Sequence, residues 1–218
     1  MNETLFAPVA NGSLRARVQE SIKQAILSGK LSPGETLREM QLAKSFQVSQ
    51  ATVREALMQL ERVGLVVRTE NRHTAVIKLS KQDVRNRLAV RVPLEILAAT
   101  EASERMTEVH HRKLDELNEN ISRTVLSDSY FGTTEADLDF HRFIWKRSEN
   151  QELYQVLNQV TVPLFAAVLI VRSLGAEKLK EVVRSHEPII AAMKKKKPGA
   201  IEDAVRFHIQ TSYDHFLS

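Results

Sequence analysis

The 218-residue chain contains no cysteine. Disulfides, thiolate metal ligands and cysteine nucleophiles are therefore excluded, and any metal must be held by histidine and carboxylate. Glycine is scarce, at 7 residues, and proline scarcer still, at 6, so long stretches lack the residues that break helices. No apolar run approaches the roughly 18 residues of a membrane-crossing helix. The best, from Val162 to Val171, is short and already contains Pro163. The N-terminus has no basic-then-apolar leader pattern, so a cytoplasmic location is expected and no membrane partner. No repeat with a period of 20–50 residues is visible, which argues against a solenoid.

Charge is present but unevenly placed. Residues 1–78 hold 11 Lys and Arg against 7 Glu and no Asp, whereas the remaining 140 residues hold 20 basic and 20 acidic side chains. The whole excess of +4 thus lies in the first third. A basic module beside a neutral one fits a nucleic-acid binder that carries a second domain. So small an excess also fits a protein with no such partner.

Residues 1–12 mix small and polar side chains and are read as a flexible arm. Ser13 is placed to cap a helix running to about Ser28, with Val18, Ile22, Ala25 and Ile26 as its apolar stripe and Gly29 as its stop. Ser32-Pro33-Gly34-Glu35 is a turn, and Thr36-Leu37 a short strand. A helix follows from about Glu39 to Phe46, then a turn at Gln47-Val48. Ser49 caps a third helix from Gln50 to about Val63, ended by Gly64. Leu65–Arg68 and Ala75–Ile77 read as a strand and its return across a polar loop. From Ser80 the pattern is helical throughout, with six helices expected at about 81–105, 107–126, 133–147, 150–173, 175–194 and 198–217. The expected architecture is mainly α: a winged helix-turn-helix domain over 13–78 and an all-helical bundle of six or seven helices over 79–218.

Helix, helix, turn, helix and hairpin is the order of a winged helix-turn-helix, whose third helix offers its N-terminal end to a major groove. That end reads Ser49-Gln50-Ala51-Thr52-Val53-Arg54. Gln pairs bidentately with adenine, Arg with guanine or a phosphate, and small neighbours allow close approach. Ser49, Gln50, Thr52 and Arg54 are the candidate readers. Arg38 and Lys44 are candidates for phosphates, and Arg72 and His73 for a wing-tip contact. A three-helix packing module that ignores DNA is the alternative.

Two phrases carry a resemblance here. Ile26–Glu35 reads I-L-S-G-K-L-S-P-G-E, and the stretch L-A-K-S-F-Q-V-S-Q-A-T-V-R-E-A-L-M-Q-L-E-R-V-G-L-V follows it. Together they resemble the DNA-binding domain of GntR-family bacterial transcription regulators over about residues 13–78. Many members carry Arg where this chain has Gln50, which implies a different base preference. The family glycine near His73 is missing.

In the helical part, Asp137 and His141 are four residues apart and so share a helix face. His186 and His208 lie near the middle of the patterns of the last two helices. Three imidazoles and a carboxylate aimed inward make a borderline metal site that suits Zn²⁺, Ni²⁺ or Mn²⁺. A hydrogen-bonded polar core is the alternative. His110, His111 and His215 have no partner at ligand spacing and are read as surface or helix-end residues.

The phrases D-L-D-F-H-R-F-I-W-K-R-S-E-N, Ser185-His186-Glu187, Arg206-Phe207-His208 and Arg91-Val92-Pro93-Leu94-Glu95 resemble the FCD ligand-binding domain of the FadR-like branch of that family, over about 81–217. The resemblance implies Asp137, His141, His186 and His208 as ligands of a divalent metal, Zn²⁺ before Ni²⁺ or Mn²⁺, with a small carboxylate metabolite at or beside it. Arg91 and Arg172 are the candidates to receive that carboxylate, since guanidinium offers a bidentate fork. A family glycine before Asn150 is Glu149 here.

The reading is a metabolite-responsive transcription regulator and not an enzyme. It is expected to act as a homodimer on a pseudo-palindromic duplex operator, with recognition helices about 34 Å apart. A hydrolytic metalloenzyme is the alternative. A site with four protein ligands tends to be closed, and no second general base stands out.

Overall fold

A computed structural model describes residues 14–68, 73–127, 130–172 and 186–217, with the side chains of 130, 168–172 and 215 excepted. The arm 1–12, Arg72 at the wing tip and most of the expected helix 175–194 lie outside the described residues.

The first domain follows the expected order. Helix α1 (Leu14–Leu27) leads to strand β1 (Thr36–Leu37), then α2 (Glu39–Phe46), α3 (Gln50–Arg62), β2 (Val66–Arg68) and β3 (Thr74–Val76). The sheet has three strands in the order β1-β3-β2, both pairs antiparallel. The expected hairpin thus gains β1 as an outer strand, because Thr36↔Ala75 and Leu37↔Thr74 pair in register. The stripe of α1 (Val18, Ile22, Ile26) and that of α3 (Val53, Ala56, Leu57, Leu60) are buried against each other. Ser49 caps α3 by accepting the Thr52 N–H at 3.1 Å. Gln47, in the left-handed region at φ 54°, ends α2.

Six further helices are described: α4 (Lys81–Arg105), α5 (Glu108–Leu126), α6 (Tyr130–Arg147), α7 (Gln151–Arg172), α8 (Glu187–Lys194) and α9 (Pro198–Leu217). A capping box starts α4: Ser80 Oγ accepts from the Asp83 N–H, and Asp83 accepts from the Ser80 N–H at 2.9 Å. Helix α6 starts three residues earlier than expected, running through Gly132. Its tertiary packing against α5 outweighs the weak propensity of one glycine. Glu149 adopts φ 59° between α6 and α7, the conformation for which the family glycine suits the turn.

The helical domain has an apolar cluster of its own, around Leu114, Phe140, Ile189 and Ile209, and a second cluster that it shares with the first domain. This second cluster joins Val18, Ile22, Leu57 and Leu60 of the head to Leu138 and Trp145 of α6 and Leu157 and Val162 of α7. Lys23 of α1 meets Glu135 of α6 at 2.6 Å, with both side chains largely covered. Pro163 inside α7 cannot donate to the carbonyl four residues back, that of Gln159. Arg87 of α4 supplies the missing donor to Gln159 O at 3.2 Å. Gly64 packs over the same proline. A Cβ there would lie 2.7 Å from Pro163 Cγ, and its φ of +75° disfavours any other residue.

Two outcomes follow from this seam and turn. Gly64→Ala combines a contact too short to keep with an unfavourable φ, and we expect a loss of about 2 kcal/mol in denaturant unfolding. Glu149→Gly relieves a left-handed glutamate and should gain about 1 kcal/mol in the same measurement.

Candidate nucleic-acid interface and metal centre

The head presents its polar end outward. Arg38, Lys44, Ser49, Gln50, Arg54 and His73 are exposed, and Thr52 is half-buried. Ser49 and Thr52 are occupied with each other, their hydroxyl oxygens 2.8 Å apart. Gln50 and Arg54 converge on Glu39 of α2, a residue the sequence reading did not single out. Gln50 Nε2 donates to it at 2.9 Å and Arg54 Nη2 at 2.8 Å. The Arg54 contact holds the Glu39 carboxyl below its ordinary range, with burial opposing and the Gln50 contact adding to the effect. This exposed surface carries side chains suited to both base edges and phosphates.

The helical domain brings Asp137, His141, His186 and His208 together. One potential ligand atom from each lies within 4.8 Å of all the others, and all four residues are buried. Asp137 and His141 are one turn apart on α6, and His208 comes from α9. His186 is not inside a helix pattern as expected; it is the residue before α8, with α8's Pro188 as the second helical residue. Its imidazole reaches Asp137 Oδ1 with Nε2 at 3.1 Å. His141 Nε2 is 3.1 Å from His208 Nε2 and 3.5 Å from Asp137 Oδ1. The rings of His186 and His208 stand 4.4 Å apart. Burial, reinforced by His186 and His141, holds the His208 imidazole well below its ordinary value. The neutral form is the one that binds a metal.

Behind the cluster lies an ion pair. Arg91 is 1% exposed and Glu95 2% exposed, so Arg91 is not the surface charge that the sequence left open. Arg91 Nε donates to Glu95 Oε1 at 2.9 Å, and its Nη1 donates to the Tyr213 hydroxyl at 3.1 Å. Its Nη2 is 3.5 Å from His141 Nε2. Glu95 Oε2 accepts the Trp145 indole N–H at 2.8 Å and faces His141 Nδ1 at 3.3 Å. A carboxylate accepts only, so it draws the imidazole proton to Nδ1 and turns the Nε2 lone pair toward the cluster. Burial pushes the Glu95 carboxyl up. His141, Arg91 and the Trp145 hydrogen bond outweigh that and bring it down to about 2.

Glu95, Trp145 and Tyr213 were not predicted as site residues. Glu95 had one readable signal, its position four residues after Arg91 on one helix face. His111 is at a helix end, one of the two expected placements, but it is buried there because the first turn of α5 packs beside the end of α8, and burial lowers its pKa. His110 is at a helix end as expected, its Nδ1 3.2 Å from the Thr107 N–H. The Arg172 and His215 side chains lie outside the described residues. No described helix is long and apolar enough to cross a membrane.

An outward-facing winged helix-turn-helix, packed through a common apolar cluster on a helical domain with a buried polar cluster, is the architecture of a two-domain DNA-binding regulator. Comparison with known proteins agrees. Residues 14–76 match the bacterial regulatory proteins of the gntR family, and residues 86–211 match the FCD domain. The transcriptional regulator LutR of Bacillus subtilis is 30% identical over 213 residues, spanning 88% of this chain and 96% of its own. YdhC of the same organism, named as a helix-turn-helix regulator, is 29% identical over 203 residues, 89% of this chain and 87% of its own. The structure of Escherichia coli McbR/YncC superposes with a TM-score of 0.78 at 23% identity over 94% of this chain and 99% of that one, which shows the shared fold. The chain belongs to the GntR family of transcription regulators, in the branch that carries an FCD domain. Members are regulators and not enzymes, so the hydrolase alternative is set aside.

The Glu95 pair sets a pH dependence. The carboxyl titrates at 4.5 ordinarily and at about 2 in the fold, so its stabilisation is complete above about 4.5 and is lost as the pH falls through about 2. Thermal midpoints should drop across that window. Glu95→Gln should start lower, with Arg91 deprived of its partner, and lack that part of the acid limb.

Proposed function

We propose that the helical domain holds one divalent metal on Asp137, His141, His186 and His208 and receives a small carboxylate metabolite beside it. Binding there changes the affinity of the paired heads for a duplex operator. The observation that carries this reading is the convergence of four buried potential ligand atoms within 4.8 Å. Three imidazoles and one carboxylate are a donor set for Zn²⁺, and also for Ni²⁺ or Mn²⁺. The metal would supply a fixed positive charge and a coordination position for an anionic oxygen.

The charges argue for an anionic effector. Counted in their usual ionised forms, the buried Asp137 and Glu95 contribute one negative charge each and the buried Arg91 one positive charge. A dication added to these leaves a single net positive charge in a buried place, which one carboxylate balances. Arg91 points an Nη2 group at the cluster and can share it with such a ligand. Arg172 remains a second candidate. The chain acts as a homodimer, which matches a pseudo-palindromic operator with half-sites about 34 Å apart. Allostery is then the difference in effector affinity between head arrangements that fit the operator and those that do not.

Elemental mass spectrometry of the purified protein tests the metal. About one equivalent per chain is expected, and His186→Ala should lose it. A chain that stays metal-free after dialysis against Zn²⁺, Ni²⁺ and Mn²⁺ has only a polar core at these residues. For the head, Arg54→Ala should weaken operator binding about tenfold at fixed salt. Unchanged binding would remove α3 from the interface.

A further inference from the structure

Gln50 stands where many family members carry Arg, and the structure shows what holds it. Glu39 Oε2 accepts from Gln50 Nε2 at 2.9 Å. The same carboxylate accepts from Arg54 Nε, at 3.2 Å to Oε1 and 3.1 Å to Oε2, and from Arg54 Nη2 at 2.8 Å. Glu39 is the first residue of α2, so one carboxylate from the neighbouring helix gathers two side chains that lie one turn apart on α3. The Arg54 side chain is 54% exposed and that of Glu39 22%, so the group sits on the outer surface of the head.

Three consequences follow from donor chemistry. A carboxylate has no hydrogen to give, so it fixes the end of the Gln50 amide that faces it: Nε2 inward, Oε1 outward. It also occupies the Nε/Nη2 edge of Arg54 and leaves the Nη1 group to point elsewhere. Finally, a bare carboxylate on this surface would repel phosphates, and Arg54 cancels that charge. Exposed ion pairs contribute little to folding, so the contact matters for side-chain direction more than for stability.

We propose that Glu39 is a specificity-determining positioning residue of the recognition helix, which sets the Gln50 amide and the free face of Arg54 that meet the DNA. The proposal rests on the reading of α3 as the DNA-contacting helix. With Oε1 outward and one Nε2 hydrogen still available, Gln50 matches the amino and N7 edge of adenine. Without Glu39 the amide is free to turn over, and Arg54 is free to swing among neighbouring phosphates, which carry no sequence information.

The test is selection from a randomised duplex DNA library with the full-length wild type and with Glu39→Ala. Titrations at fixed salt then use the wild-type consensus duplex and a scrambled duplex of the same length. The variant should select with relaxed preference at the positions that α3 reads. Its ratio of consensus to scrambled affinity should fall about tenfold, with scrambled binding unchanged or stronger because a negative charge has gone. A variant that selects the same consensus with the same ratio overturns the proposal. So does equal weakening on both duplexes, which would mark a merely structural role. A wild type that enriches no sequence overturns the DNA reading itself, and the Glu39 proposal with it.

Discussion

Arg91 and Glu95 sit one turn apart on α4 with almost no exposure, and neither charge is tolerable there without the other. Removing one partner of such a pair costs about 3–5 kcal/mol, because the other is left charged in a poor solvent. The pair organises its surroundings. Tyr213 of α9 satisfies one arm of Arg91, Trp145 of α6 satisfies Glu95, and His141 is held between the two charges. The orientation of the buried His141 imidazole therefore depends on an ion pair that contributes no ligand atom of its own to the cluster.

Helix α6 turns this local arrangement into a property of the whole molecule. Asp137 and His141 face the cluster, while Leu138 and Trp145 belong to the apolar core that includes the head, and Glu135 meets Lys23. Close-packed interiors transmit small displacements and do not absorb them. Helix α6 thus links the cluster to α1, which packs on α3. Pro163 and Gly64 make a second point of contact between the domains, where the close approach leaves little room for adjustment.

Much of this was legible in the sequence. The order of elements in the head could be read from Ser49 as a cap, from Gly64 as a stop and from the apolar spacing of α1 and α3. The helical domain could be read from its scarce glycine and its 3.6-residue stripes. Asp137 and His141 were visible as an i, i+4 pair. What could not be read was long-range. Strand β1 pairs with β3 only because the fold brings Thr36 beside Ala75 across α2, α3 and β2. Glu39 acquires its meaning from partners 11 and 15 residues away on another helix. The burial of Arg91 and His111 depends on which helices cover them, and a charged or titratable residue on an amphipathic helix carries no local mark of that. The placement of His186 ahead of α8 escaped a reading based on periodicity, because a helix pattern does not show where its first turn begins.

Trp145 is the sole tryptophan of the chain. It is fully buried, its indole N–H is bonded to Glu95, and its ring lies 6.2 Å from that of His141. Any change in charge or hydrogen bonding around Glu95 acts directly on the environment of this one fluorophore, with no second indole to dilute the signal. The protein therefore carries an intrinsic optical reporter at the place where its buried polar cluster meets the core shared with the head.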